Sequence, residues 1–526
     1  MINMRAKYYI LSVVAAAGTM LTSCDDYLDV KPVGKMIPTE VSQFENLLNN
    51  VNTLNYFHMD NNYGCSYAAL GDNLEISENQ LNYNYTATFP NLDILAAYMF
   101  YEPMYNPTST PFTWTYGYRA IGYFNNVIDG VSDIDNSSDY ARGIIAEARA
   151  ARAWVYMNLA LTYGPMYNPG GSNDTKVVPL RTSGDPTVEE KDLATTQQLM
   201  DQVKEDLDYA VEYAPQTVGN PTRASKVAAL GLRAEYYLYL RDWNNALADA
   251  QRAWQLAQQT KGGNENLFYD FRDFYYEATS AVKPEEGVSP EYYMTFRGPD
   301  NVFEQTGNKE NLLWRTAPTG SGNTKYYPSE DWQSLFDKDH DLRWKLFALN
   351  VPGYSTTVAN VKYDDGVRMV YFRSEKLSTT ESLTFPLLIL IKAEAEARTN
   401  NLSAALASLN TLRAYRYDFG TGNSTDLQGG ASMNQDQLLN EILTERRREQ
   451  PLVSLQRTLD LKRYAYDTGK PWCKTTITHR SGSKQWSKSI TDNYFQYLPI
   501  DNAILKYNPQ WGIPLNEKAF NPVSAK

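Results

Sequence analysis

Residues 385–415 read "FPLLILIKAEAEARTNNLSAALASLNTLRAY". Apolar and small residues recur every three or four positions on both sides of "TNN", so the stretch predicts two helices joined by a tight turn. Ala393 and Ala405 stand twelve apart across that turn. Small residues at matched points let two antiparallel helices approach closely, as in a tetratricopeptide-type helix pair. Ala234 and Ala246 repeat the spacing across "RDW". Outward from these pairs, helical periodicity fills 115–163, 188–259 with a break at Pro215–Pro221, and 434–466. Asp139 is the expected cap of the helix that Gly164-Pro165 ends. Segments rich in Gly, Pro, Asn and Tyr lie between, at 55–113, 164–187, 260–384 and 417–433. They exceed ordinary loop lengths. The expected fold is therefore mostly α, with long irregular loops and a few short strands on a helical frame.

At 526 residues the chain can bury a large core as one big domain or as two or three fused units. Its net charge of −12 and lack of a basic run argue against nucleic acid as a partner. The three histidines, His58, His340 and His479, have no metal-ligand spacing. "DIDNSSD", 133–139, alternates oxygen side chains like a calcium loop. Ser138 and Ile144 stand where an EF-hand needs Gly and Glu, so the stretch reads as a turn and helix cap. No metal or cofactor is expected. Tyrosine is abundant, with 40 residues beside 10 tryptophans. Such side chains offer a flat apolar face and a polar tip, which suits stacking on sugars, although a helical core also absorbs many of them.

The N-terminus carries Arg5 and Lys7, then the short apolar run "YYILSVVAAAGTM", then "LTSC". A positive start, a short apolar middle and small residues before a boundary make a secretory signal, too short to span a bilayer comfortably. "LTSC" resembles a bacterial lipobox, in which Cys24 becomes the acylated mature N-terminus and residues 1–23 are removed. Acyl chains then anchor the protein in lipid, each buried methylene contributing about 0.8 kcal/mol. With Cys24 acylated, one disulfide at most remains, Cys65 to Cys473, and nothing in the sequence calls for it.

Several blocks together resemble the SusD/RagB family of surface lipoproteins from Bacteroidetes. They are "CDDYLDVKP" after the lipobox, "YRAIGYFNNVID" at 118–129, "AEARAARAWVYMNLALTYGPM…VVPL" at 146–180, "KENLLWR" at 309–315 and "DHDLRW" at 339–344. The helix pair at 385–415, "LLNEILTERRREQ…LDLKR" and "YLPIDNAILKYNP" complete the order. Departures are "PLVSLQRTL" after the Glu-Arg-Arg helix, "WGIPLNEKAF" near the C-terminus and "PLLIL" opening the third pair. The resemblance implies a single large domain on four tetratricopeptide-like helix pairs. It would span 24–526, with an N-terminal part of about 24–190 and a helical-repeat and C-terminal part of about 191–526. It also implies a non-catalytic, surface-exposed lipoprotein of the cell outer membrane. Such a protein captures oligosaccharide and delivers it to a SusC-like TonB-dependent transporter.

Sugar contacts are expected from loop aromatics beside short polar groups. One patch holds Tyr63, Tyr67, Asp72, Asn73, Tyr83 and Tyr85; the other holds Trp314, Arg315, Asn323, Tyr326, Tyr327 and Trp332. On this reading Trp314→Ala weakens glycan retention and spares the melting temperature. In "ERRRE", Glu445 and Arg446–Arg448 are expected to pair across packed helices, and Trp154, Tyr156, Tyr236 and Tyr237 to be core. Two other functions compete. A secreted glycoside hydrolase needs two carboxylates about 5 Å or 6.5–9.5 Å apart, and no local motif presents them. A peptide-binding helical-repeat scaffold is the other alternative.

Overall fold

Residues 385–413 form the expected helix pair, α9 (Phe385–Arg398) and α10 (Leu402–Arg413). In this computed structural model the described residues are 38–49, 66–83, 92–188, 192–279, 283–299, 302–304, 306–315, 326–377 and 380–520. The lipobox cysteine Cys24, Cys65 and the signal segment 1–23 lie outside them. Before α9 come α1 (Val41–Leu48), α2 (Glu78–Asn82), α3 (Asp93–Tyr98), α4 (Phe112–Ile134), α5 (Asp139–Tyr163), α6 (Thr196–Tyr213), α7 (Lys226–Tyr239) and α8 (Trp243–Lys261). After α10 come α11 (Gln435–Glu449), α12 (Leu455–Tyr464) and α13 (Asn502–Leu505). The mostly helical expectation holds.

Three antiparallel pairs, α4/α5, α7/α8 and α9/α10, build the frame, with α6 packed between α5 and α7 and α11 packed on α9; α12 is tied to α11 by the Arg446–Asp460 pair. Ala234 and Ala246 are fully buried where α7 meets α8, and Ala393 and Ala405 where α9 meets α10. Helix ends follow local chemistry. The Thr195 side chain accepts from the Gln198 amide, and Gln198 returns the bond to the Thr195 amide, a capping box that starts α6. Asn434 and Gln437 do the same for α11. Helix α5 is capped by Ser138, whose hydroxyl accepts from Ala141 N–H. Asp139 is instead its first helical residue and pairs with Arg142, a correction of one position. Asp135 accepts from the amides of Ser137 and Ser138, so "DIDNSSD" forms the turn and cap expected of it. Gly164 stops α5, and a Cβ there would lie 2.7 Å from both Ala160 O and Val177 Cγ2.

One hydrophobic core runs from Phe44 to Phe520, with Trp154, Tyr156 and Tyr236 inside it and Tyr237 half-buried at its edge. A smaller cluster gathers Phe271, Trp332, Phe336, Phe347 and Tyr371 under the long 260–384 segment. Arginine–carboxylate pairs join the helices. Arg152 binds Asp206 on α6 at 2.7 Å and Asn125 on α4 at 2.7 Å. Arg233 joins α7 to Asp249 of α8 at 2.6 Å and to Asp208 of α6 at 2.9 Å. Lys462, fully buried on α12, donates to the carbonyls of Leu161, Gly164 and Gln496. It thus covers the C-terminal end of α5, where a helix leaves carbonyls unpaired and favours positive charge.

The strands are short antiparallel pairs. β1 (Leu74–Glu75) joins β2 (Tyr327–Pro328), and β3 (Ala348–Pro352) joins β6 (Val367–Tyr371). β4 (Ser355–Val358) and β5 (Val361–Asp364) form a hairpin. Its turn residues Ala359 and Asn360 both have positive φ, as a two-residue hairpin loop requires. A second hairpin pairs β7 (Thr476–Ser481) with β8 (Lys484–Ser489).

Candidate functional site

A cleft of about 750 Å³ opens where three irregular segments meet the frame. Residues 72–79 supply one wall, Ser329–Asp331 with Asp365 and Arg368 another, and Lys474 with β7 the third. Its floor is charged. Arg457 of α12 grips Asp72 with two parallel bonds, Nε to Oδ1 at 2.7 Å and Nη2 to Oδ2 at 2.9 Å. Lys474 reaches the same Oδ2 at 2.6 Å and Asp331 at 2.9 Å. Arg447 of α11 completes the ring, 3.2 Å from Asp72 and 2.7 Å from Asp331. Burial pushes the Asp72 carboxyl up, but Arg447, Arg457 and Lys474 outweigh it and hold it well below the usual carboxylate range. Asp331 is likewise raised by burial and, on balance, lowered by Arg447 and Lys474.

The rim is polar. Asp365 accepts from Asn79 Nδ2 and from the Tyr327 hydroxyl, each at 2.8 Å. Arg368 lies over the Tyr327 ring at 4.2 Å and bonds Glu75 at 2.8 Å. Next to this rim Tyr83, which follows α2, stacks on Tyr363 of the β4–β5 hairpin, centroids 3.5 Å apart and planes 20° from parallel. The Tyr354 hydroxyl fixes the Tyr83 carbonyl at 2.6 Å. Charged donors and acceptors that already orient one another suit the hydroxyl pairs of a sugar, and the half-buried tyrosine pair offers a flat face beside them.

Of the twelve residues picked from the sequence, Tyr63, Tyr85 and Asn323 lie outside the described residues. Asp72 lines the cleft and Tyr83 stands next to it. The other seven are buried. Asn73 is buried and spent on Leu452 O and Arg447 Nε. Tyr67 is fully buried, its hydroxyl donating to Phe495 O. Tyr326 is in the core, and Tyr327 is buried with only its hydroxyl turned to Asp365. Trp332 packs on Phe336 and Tyr371, both at 4.6 Å. Trp314 and Arg315 are buried as well, because their strand-like segment is pinned to 380–384. Leu312 and Leu313 N–H donate to Leu383 O, and Glu381 N–H donates to Arg315 O. Burial lowers the Arg315 guanidinium to about 9. Trp314→Ala will therefore lower the melting temperature, since emptying a buried tryptophan site costs about 3–5 kcal/mol. A calorimetric scan checks this. The sequence reading passed over Asp331, Lys474, Asp365, Arg368 and Tyr363, although "YDDG" at 363–366 carries a turn signal beside an aromatic.

Stacked helix pairs carrying an open polar cleft on their irregular arms define a helical-repeat scaffold with its candidate ligand surface at the loop side. A family profile described as "Starch-binding associating with outer membrane" matches residues 26–238, and the SusD family profile matches 388–511. Between them they span more than half of the chain, which belongs to the SusD family. A SusD-like protein, P2, from Formosa agariphila is 24% identical over 378 residues, covering 66% of this chain and 70% of that protein. A SusD superfamily protein from Bacteroides thetaiotaomicron superposes with a TM-score of 0.59 at 17% identity, covering 89% of this chain and 98% of the other. A putative sugar binding protein from Bacteroides vulgatus gives 0.61 at 16%, covering 90% and 98%. Surface glycan-binding protein A from Bacteroides uniformis gives 0.54 at 14%, covering 89% and 98%.

Proposed function

We propose that this protein is a non-catalytic glycan-binding lipoprotein of the outer-membrane surface, acylated at Cys24 after loss of residues 1–23. It holds an oligosaccharide in the 72–79/329–331/474–482 cleft and passes it to a TonB-dependent transporter of the SusC type. The cross-braced Asp72–Arg457–Lys474–Asp331 floor beside the Tyr83–Tyr363 stack carries this reading. Its volume falls within the usual 300–1,000 Å³ or so of small-molecule sites. Membership of the SusD family and the glycan-binding relative support it. No helix among the described residues is long and apolar enough to cross a membrane, which suits anchoring by lipid. A hydrolase is disfavoured, because a general acid needs a raised pKa, whereas both floor carboxylates are held down by cations.

Six carboxylate side chains line the cleft, against Arg368, Lys474 and Arg480 on its walls and Arg447 and Arg457 in its floor, so it has no positive excess to attract a polyanion and a neutral glycan is favoured. In affinity electrophoresis, neutral polysaccharides should retard the protein and uronate-rich or sulfated ones should not. Tyr363→Ala should abolish the retardation with an unchanged melting temperature, because that ring is half-buried on a hairpin outside the core. Retention that survives this change, or release of reducing sugar from the bound polymer, would remove the proposal. Palmitate labelling of the full chain tests Cys24, and co-purification of a large outer-membrane barrel tests the partner.

A further inference from the structure

Behind the third wall of the cleft sits a histidine between two carbonyls. His479 is in the middle of β7, flanked by Thr478 and Arg480, which line the cleft, while its own side chain is buried at 1% exposure. Its Nδ1 is 2.7 Å from Tyr98 O and its Nε2 is 2.9 Å from Gly71 O. Both partners are carbonyl oxygens, which only accept, and a neutral imidazole has a single N–H to give. Whichever nitrogen keeps that proton, the other turns a lone pair towards a carbonyl. Both contacts become hydrogen bonds only when the ring holds two protons and a positive charge.

The surroundings suit that charge. Tyr98 stacks on the imidazole with centroids 4.4 Å apart and planes 2° from parallel, and Phe100 does so at 4.7 Å and 9°. Aromatic faces attract a cation within about 6 Å. Phe100 reaches this place with a φ of 48°, a left-handed conformation that a bulky residue adopts only when its surroundings impose it. The charged and titratable groups around the ring are Asp72, itself bound by Arg447, Arg457 and Lys474, and the Tyr98 phenol, which burial pushes up so that it stays protonated. From β8 the opposing residue is Trp486. Burial lowers the His479 pKa from its ordinary 6.5 and outweighs the Tyr98 carbonyl, the Gly71 carbonyl and Asp72, which all pull it up.

Given the cleft as the sugar site, we propose that His479 is a positioning residue whose second proton completes a brace from Gly71 to Tyr98 and so fixes Asp72, the next residue, against the Thr478–Arg480 wall. At neutral pH the ring is neutral and one of the two carbonyls is unbraced. In mild acid the brace closes and the grip on the glycan tightens. Asp72 and Asp331 are held below the usual carboxylate range and keep their charge over that interval.

The test takes the full mature chain, labelled with nitrogen-15 at histidine, through ring-nitrogen NMR and affinity electrophoresis on a neutral polysaccharide between about pH 8 and pH 5. Retardation at each pH is taken relative to a glycan-free gel. The signal that disappears in His479→Gln assigns the ring. Its second N–H is expected to appear with a midpoint below 6.5, and retention to rise about fivefold with the same midpoint. His479→Gln, which keeps an amide donor and cannot titrate, should give a flat profile. A ring that stays singly protonated throughout, or holds two protons already at pH 8, overturns the proposal. So does retention that is flat in the wild type, or that rises equally in His479→Gln. If that variant does not fold, the wild type decides alone, and ring and retention midpoints that do not coincide overturn the proposal. Absence of retention at every pH would remove the sugar reading of the cleft and this role for His479 with it, whereas flat retention removes only the role.

Discussion

Glu449→Ala is expected to leave the protein largely unfolded at 37 °C. Glu449 is buried at the end of α11 and receives Arg373 at 2.6 Å, Arg343 at 2.7 Å and Arg416 at 2.9 Å. Removing the one carboxylate strands the buried Arg373 and takes one partner each from Arg343, which keeps Asp341 and Glu445, and from Arg416, which keeps Glu310. Breaking a single buried pair costs about 3–5 kcal/mol, a large part of a total stability of about 5–15 kcal/mol. Soluble yield and the urea midpoint report the loss, and a variant melting within a degree of wild type would mean the arginines are satisfied elsewhere. Burial alone would raise this carboxyl, but Arg373, Arg416 and Arg343 hold it well below the usual range. Its contribution is therefore fully present above the unfolded pKa of about 4.3, and drains as pH falls from there toward the lower folded value. The wild type should lose stability below about pH 4, and Glu449→Gln should show a shallower acid slope.

Asp72→Asn should abolish glycan retention and lower the melting temperature together. The carboxylate is the common acceptor for Arg457, Lys474 and Arg447. An amide keeps the shape and removes the charge, so the three cations repel one another and Lys474 loses its anchor over the cleft. Retention is expected to fall by at least tenfold in affinity electrophoresis, together with a loss of stability of about 3 kcal/mol in urea titration. Lys474→Ala separates the two effects, since Lys474 is partly exposed, with about a third of its side chain open to solvent. It should lose retention and keep most of the stability. Full retention in Asp72→Asn would move the binding surface elsewhere on the molecule.

The frame was legible because its signals are local. Alanines twelve apart across a turn, capping residues and a Gly-Pro stop each act within a few residues, and α7–α10 formed where they pointed. The "ERRRE" charges were also readable as pairs, since an α-helix buried at Arg446, Arg447 and Arg448 needs partners. Which partners was not readable: Glu235 and Asp460 take Arg446, while Asp72 and Asp331 take Arg447. The site was harder for a related reason. A tyrosine in an irregular segment looks the same whether it covers the core, as Tyr67 and Tyr326 do, or stands at a rim, as Tyr83 does. Long loops here bury themselves against the frame, which composition does not disclose. Of the cleft floor only Asp72 stood out, because its cations come from elements with no sequence neighbourhood in common with it.

That same floor joins residue 72 to a lysine 402 positions further along the chain and to an arginine 385 positions further along. Contacts of such separation form late, after the intervening loop has been closed. The helical frame can thus acquire its shape while the grip is still missing, and a chain cut short before β7 would be a scaffold without a hand. Readiness to take up sugar then reports that nearly the whole molecule has been made and folded.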